Sequence, residues 1–139
     1  MNERSAELNA IRKTVETYVE GMRTGNVELL RQVFHPKAMM YGAGREHVLI
    51  LEIESFYVFL SSTDPPSKTG EPLQCFISCI HYDGHAAFVE MIEEASFGRD
   101  YTDYFQLLKI DGMWRIVSKS YNAVPVLEAK GKRMWSLLG

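Results

Sequence analysis

Apolar residues near the start of the chain recur at spacings of three and four: Leu8, Ile11, Val15, Tyr18, Val19 and Met22. That period predicts an amphipathic helix over residues 5–22. Thr24-Gly25-Asn26 supplies a stop and a new start, and Asn26 is suited to cap a second helix over 27–34. Val27, Leu29, Leu30, Val33 and Phe34 are its apolar positions, and Pro36 ends it. A short strand is expected over 38–41, then a loop opened by Gly42 and Gly44. A third helix is expected over 47–61, with Leu51, Phe56, Tyr57, Phe59 and Leu60 as its buried groups. Residues 62–70, rich in Ser, Thr, Pro and Gly, are turn chemistry and close it.

From Leu73 onward the pattern changes to strands. Runs over 76–82 and 85–96 flank Asp83-Gly84, and runs over 101–110 and 113–122 flank Asp111-Gly112. An Asp-Gly pair between β-rich runs favours a tight type I′ hairpin. Helices followed by antiparallel strands make an α+β pattern. Residues 74–80 do not alternate cleanly between apolar and polar. Both faces of the sheet are therefore expected to be covered, one by the helices and the other by a partner chain.

Composition narrows the function classes. A chain of 139 residues suits one domain over 1–139, read as a core over 5–122 and a C-terminal extension over 123–139. A net charge of −3 argues against nucleic-acid binding, which needs a concentrated basic face. No apolar run reaches the roughly 20 residues of a membrane span. The first residues lead into a charged helical pattern and not into a signal-peptide core, so a cytoplasmic location is expected. Cys75 and Cys79, four residues apart in one strand, should share a face at roughly 13 Å, too far for a disulfide. They read as small buried hydrophobes. No phosphate loop, nucleotide fingerprint, nucleophile elbow or metal-ligand cluster is visible, so neither cofactor nor metal is expected.

Particular residues carry a family likeness. Val15, Tyr18 and Val19, then Thr24-Gly25-Asn26, then Leu30, Val33, Phe34, His35 and Pro36 resemble the opening of the nuclear-transport-factor-2-like superfamily. The run from Asp103 to Val117, with Asp111-Gly112 and Trp114 inside it, resembles that superfamily's last two strands. Within it the chain is most similar to the putative lumazine-binding family, related to polyketide-cyclase-like and ketosteroid-isomerase-like branches, over residues 5–122. The resemblance implies a cone in which three N-terminal helices pack on a curved antiparallel sheet around an interior pocket for a small molecule. Ketosteroid isomerases build an oxyanion hole from a tyrosine and a protonated aspartic acid, which correspond here to Tyr18 and Asp103. Their carboxylate base has no counterpart in the stretch from Met39 to Gly44, so isomerase activity of that type is not expected.

Hairpin register extends the pocket. With Asp111 and Gly112 as the turn, Asp103 lies opposite Ser120, Phe105 opposite Ser118 and Leu107 opposite Ile116. If Asp103 faces inward, so do Phe105, Leu107, Trp114, Ile116, Ser118 and Ser120, unless a one-residue bulge inverts the assignment. The expected ligand-binding set is Tyr18, Tyr41, Tyr57, Asp103, Phe105, Trp114, Ser118 and Ser120, with Tyr18, Asp103 and His35 as catalytic candidates. Each has an ordinary alternative. Tyr18, Tyr41 and Tyr57 serve equally as core aromatics, Asp103 as an ion-pair partner of Arg99 or Lys119, and His35 as an orienter of the turn at Pro36. Glu90 and Glu93 have opposite parity and cannot form a carboxylate pair. Three functions stay open: a small-molecule-binding domain, a lyase, cyclase or isomerase acting on a carbonyl compound, and a self-associating accessory protein.

The other face would carry Tyr104, Gln106, Leu108, Arg115, Val117, Lys119 and Tyr121. A homodimer is expected through it, centred on Tyr104, Leu108, Val117 and Tyr121, with Arg115 and Lys119 at the rim. The apolar cluster from Met134 to Leu138 is expected to cover the helices or to reach the partner chain.

Overall fold

A computed structural model describes residues 2–96 and 98–125. The cluster at Met134–Leu138 lies outside the described residues. Helix α1 (Glu3–Thr24) starts where the Asn2 side chain accepts a hydrogen bond from the Ser5 amide at 2.8 Å. It stops at Gly25, whose φ of 69° is left-handed backbone that a glycine adopts without steric cost. Its stripe of Ile11, Val15, Tyr18 and Met22 is buried, as the spacing predicts. Asn26 then caps α2 (Val27–Val33) through the Leu29 amide at 3.2 Å.

Chain order continues with β1 (Phe34–Ala43), β2 (Val48–Glu52), α3 (Ile53–Ser61), α4 (Pro66–Thr69), β3 (Gln74–Asp83), β4 (Ala86–Ser96), β5 (Arg99–Ile110) and β6 (Met113–Pro125). One six-stranded sheet runs β2-β1-β6-β5-β4-β3. All neighbours are antiparallel except β1 and β6, a parallel pair that brings the first strand against the last. No helix among the described residues is long and apolar enough to cross a membrane.

Two expected elements differ. The first half of the third helix is instead the edge strand β2, which turns Leu49 and Leu51 toward the interior and leaves Val48 and Ile50 exposed. Val48, Leu49, Ile50 and Leu51 suit either period. Pairing with Met40 to Ala43 of β1 decides for strand. The short strand at 38–41 lengthens to 34–43, with Pro36 in a break of register between Phe34 and Met39, where no ladder amide is needed.

Hairpin geometry carries the main correction. Asp111 and Gly112 form the turn between Ile110 and Met113, both at positive φ (51° and 79°), as a type I′ turn requires. The other turn sits one residue later than expected, at Gly84 and His85, because Asp83 pairs with Ala86. In β6, Leu107 pairs with Ile116 but Gln106 pairs with Ser118. Val117 is thus an extra residue, a β-bulge, and beyond it parity inverts. Asp103 lies opposite Tyr121 and Phe105 opposite Lys119. A second bulge, between Ile77 and Cys79, puts the two cysteines on opposite faces: Cys75 lies opposite the inward Glu93 and Cys79 opposite the outward Glu90.

The core fills the space between α1, α2, α3 and the inner face of the sheet. Tyr18 and Phe105 meet edge to face at 5.0 Å, and Tyr18 meets Phe34 at 5.9 Å. At one end Glu7 ties α1 to the last hairpin, accepting from Lys109 Nζ at 2.6 Å and from Trp114 Nε1 at 2.8 Å. Phe105 has no exposed surface and stands beneath Tyr18. Phe105→Ala should therefore lower stability by about 3–5 kcal/mol, read as a shift of the urea midpoint at unchanged slope.

Candidate functional site

A cavity of about 550 Å³ opens at the end of the sheet away from the Glu7 cluster. Met22 of α1, Met40 of β1, Leu49 and Leu51 of β2, and Phe56 and Phe59 of α3 give it apolar walls. Its polar side is Glu93, Arg99, Tyr101, Lys119 and Tyr121 from the strands, with Ser55 from α3. The inward Leu51 sits in register with Met40, and Met40 with Lys119, so β2 and β1 carry the wall up to the lysine.

Lys119 is the centre of this polar side. The Val117 bulge turns it inward, and only 4% of its side chain is exposed. Its Nζ donates to the Tyr18 hydroxyl and stands 3.7 Å from Asp103 Oδ1, an ion pair without a hydrogen bond. Asp103 is fully buried. Neither of its oxygens, nor Glu93 Oε1, has a hydrogen-bond donor among the described residues. Glu93 lies on the same face as Asp103, one pair removed.

Burial pushes the Asp103 carboxyl well above its ordinary range. The Lys119 cation opposes that rise and the neighbouring Glu93 adds to it. Burial, helped by Glu93 and Asp103, also holds the Tyr18 phenol protonated far beyond neutral pH. Tyr101 is raised to about 12, mainly by burial. Cys75, opposite Glu93, is raised to about 12 by burial and by the two carboxyls, so it stays a thiol and is no nucleophile at neutral pH.

Of the expected residues, Tyr18 and Asp103 come together, but with Lys119 between them and below the wall of the cavity. Ser118 and Ser120 are on the outer face, since the bulge inverts their parity; Ser118 Oγ donates to Gln106 Oε1 at 3.0 Å. Tyr41 also turns outward, 39% exposed, because the inward positions of β1 are Ala38, Met40 and Gly42. Trp114 is at the other end, held by Glu7. Phe105 is core, and Tyr57 is buried with the Arg31 guanidinium 4.6 Å above its ring. His35 orients its turn, Nδ1 accepting from the Lys37 amide at 3.0 Å.

Sequence reasoning missed Lys119, Glu93, Tyr101 and Tyr121. Lys119 and Tyr121 were hidden by the bulge. Glu93 had a legible signal: it shares parity with Val89 and Met91, an acid at the end of an apolar alternation. Glu90 does face outward, where it accepts from Ser78 Oγ at 2.7 Å.

A family model described as putative lumazine-binding matches residues 6–122. A curated relative, the aldolase FrzH of a Cladobotryum species, is 30% identical over 122 residues, covering 87% of this chain and 94% of its own. Among solved structures, a nuclear-transport-factor-2-like protein of unknown function from Shewanella baltica superposes with a TM-score of 0.79 at 25% identity, covering 90% of this chain and 99% of its own. Another from Silicibacter pomeroyi gives 0.79 at 26% identity, covering 89% and 100%.

The buried acid makes stability depend on pH. Folding raises the Asp103 pKa, so above the ordinary carboxylate range the folded chain binds more protons than the unfolded one. Stability contributed by that proton is present below about pH 4 and is lost as pH rises through the raised value. Relative to Asp103→Asn, the wild-type protein should lose up to about 1.4 kcal/mol per pH unit within that window. Urea unfolding of both proteins from pH 4 to 8 measures it, and parallel profiles would contradict the assignment.

Proposed function

The chain belongs to the putative lumazine-binding family, and we propose that it binds a small, largely apolar molecule carrying a carbonyl group. The observation that carries this reading is the asymmetry of the cavity. Its walls are Met, Leu and Phe, while hydrogen-bond donors gather on one side around Lys119, Tyr101 and Tyr121. Such a site takes up an apolar body and orients it by one acceptor group. Filling the cavity should remove binding without removing the fold. Leu51→Trp should weaken any ketone or aldehyde bound by the wild-type protein at least tenfold, about 1.4 kcal/mol, in calorimetry, with an unchanged circular dichroism spectrum. Equal affinity in the two proteins would place the ligand elsewhere.

A second reading, cleavage or formation of a carbon–carbon bond next to that carbonyl, is favoured by the likeness to an aldolase. It is also favoured by an acid pair beside a buried amine, which could move the protons such a step requires.

The assembly expected from the sequence keeps part of its basis. Tyr121 and Lys119 leave the proposed interface because they face inward. Tyr104 (37% exposed) remains on the outer face, stacked on Phe88 at 6.0 Å, beside the 42% exposed Leu108. We propose that a second copy covers this face. A symmetric contact feels one substitution twice, so Leu108→Arg should be monomeric at tens of micromolar where the wild-type protein is a dimer. Sedimentation equilibrium reads the difference, and a monomeric wild-type protein would remove the interface.

A further inference from the structure

We propose that Lys119 forms a covalent imine with the carbonyl carbon of the molecule in the cavity. The proposal rests on the reading that this cavity holds a carbonyl compound. Lys119 lines the cavity, yet only 4% of its side chain is exposed. Tyr18 takes one of its three hydrogens, and Asp103, at 3.7 Å, is close enough to balance charge but too far to hydrogen-bond. A lysine placed only for an ion pair would close on its carboxylate. This one donates to a phenol instead, and its Nζ stands 5.3 Å from the ring of Tyr121, a neighbour on the cavity wall. Glu93 supplies the second observation: it lines the same cavity, is 3% exposed, and its Oε1 has no hydrogen-bond donor among the described residues. The titratable groups around the amine come from every packed element: Tyr18 of α1, Cys75 of β3, Glu93 of β4, Tyr101 and Asp103 of β5, and Tyr121 of β6.

The chemistry balances without an oxidant or a cofactor. As the ligand enters and the cluster closes on it, the ammonium passes a proton to whichever carboxylate of the pair is still ionised. The freed amine attacks the carbonyl carbon; the C–N bond forms, the π electrons move to oxygen, and the nitrogen gives up one proton as the oxygen takes one, leaving a neutral carbinolamine. The nitrogen lone pair then expels that oxygen as water, protonated by the acid pair, and leaves an iminium ion. Where the ligand carries a β-hydroxyl, a carboxylate of the pair can remove the hydroxyl proton. The bond between the α and β carbons breaks, its electrons enter the iminium to give an enamine, and an aldehyde departs. Protonation of the enamine carbon and addition of water restore the amine. The apolar walls on the ligand side limit competition by bulk water during these steps.

Reductive trapping tests the proposal. The full-length protein is incubated with a series of methyl ketones from acetone to benzylacetone and with sodium borohydride, and tryptic peptides are mapped by mass spectrometry. Binding of the same ketones is followed separately by thermal shift. The expected result is a mass increase equal to the ketone minus one oxygen, concentrated on Lys119 and increasing with the ketones that raise the melting temperature. Glu93→Gln should still bind the ketone while trapping slows about a hundredfold, and Lys119→Arg should lose the adduct. Ketone binding with no adduct at Lys119, or adducts spread evenly over the surface lysines, would overturn the imine and leave the binding site standing. Neither binding nor adduct across the series would overturn both.

Discussion

The extra residue at Val117 sets the chemistry of the inner face. Upstream of it Trp114 and Ile116 point into the core; downstream, parity has shifted by one and Lys119 and Tyr121 point in. A regular strand would have turned Ser118 and Ser120 inward and left the lysine in contact with solvent or a partner. The parallel neighbour β1 breaks register at the same level, pairing Phe34 with Ile116 and Met39 with Ser118. His35, Pro36, Lys37 and Ala38 occupy that break. A proline is tolerated where the ladder is already interrupted, so the two irregularities accommodate each other across the pair.

What the bulge delivers is costly to keep. Asp103, Glu93 and Lys119 are buried, and isolated charges in such a place would lose several kcal/mol of hydration each. The cluster reduces that cost in two ways. Lys119 stands 3.7 Å from Asp103 and donates to Tyr18, and burial raises the affinity of the Asp103 carboxyl for a proton, which removes its charge. Tyr18 completes the arrangement as a phenol that burial keeps neutral. A hydrophobic trio of the same volume would stabilise the fold at least as well, so stability alone does not account for these residues.

The first two helices and the last hairpin were readable because one local rule decided each of them. The stripe from Ile11 to Met22 has a single period, Asn26 has cap chemistry, and Asp111-Gly112 has the only backbone conformation that its turn admits. The site was readable only in part. Tyr18 and Asp103 followed from family likeness, and each contacts Lys119, but the position of Ser118, Ser120, Lys119 and Tyr121 depended on one inserted residue that no local signal marks. Val48 to Glu52 was misassigned for a related reason: an aliphatic run fits helix and strand alike, and a pairing partner on β1 settled it. Long-range pairing, not propensity, placed Lys119, Tyr121 and the strand β2.

The cavity has its own backbone requirement. A Cβ on Gly42 would stand 2.3 Å from the Tyr121 ring, so the ring lies directly on the glycine. Were β1 to carry any side chain there, the ring would have to swing away from the strand, and the open side is the cavity that Tyr121 lines. The glycine and the bulge thus act on the same residue from two strands. The bulge turns Tyr121 inward, and Gly42 lets it lie flat against the wall instead of filling the space in front of Lys119. Cavity volume and the reach of the amine are in this way set by backbone features of β1 and β6, and the apolar side chains of β2 and α3 complete an enclosure whose shape is already determined.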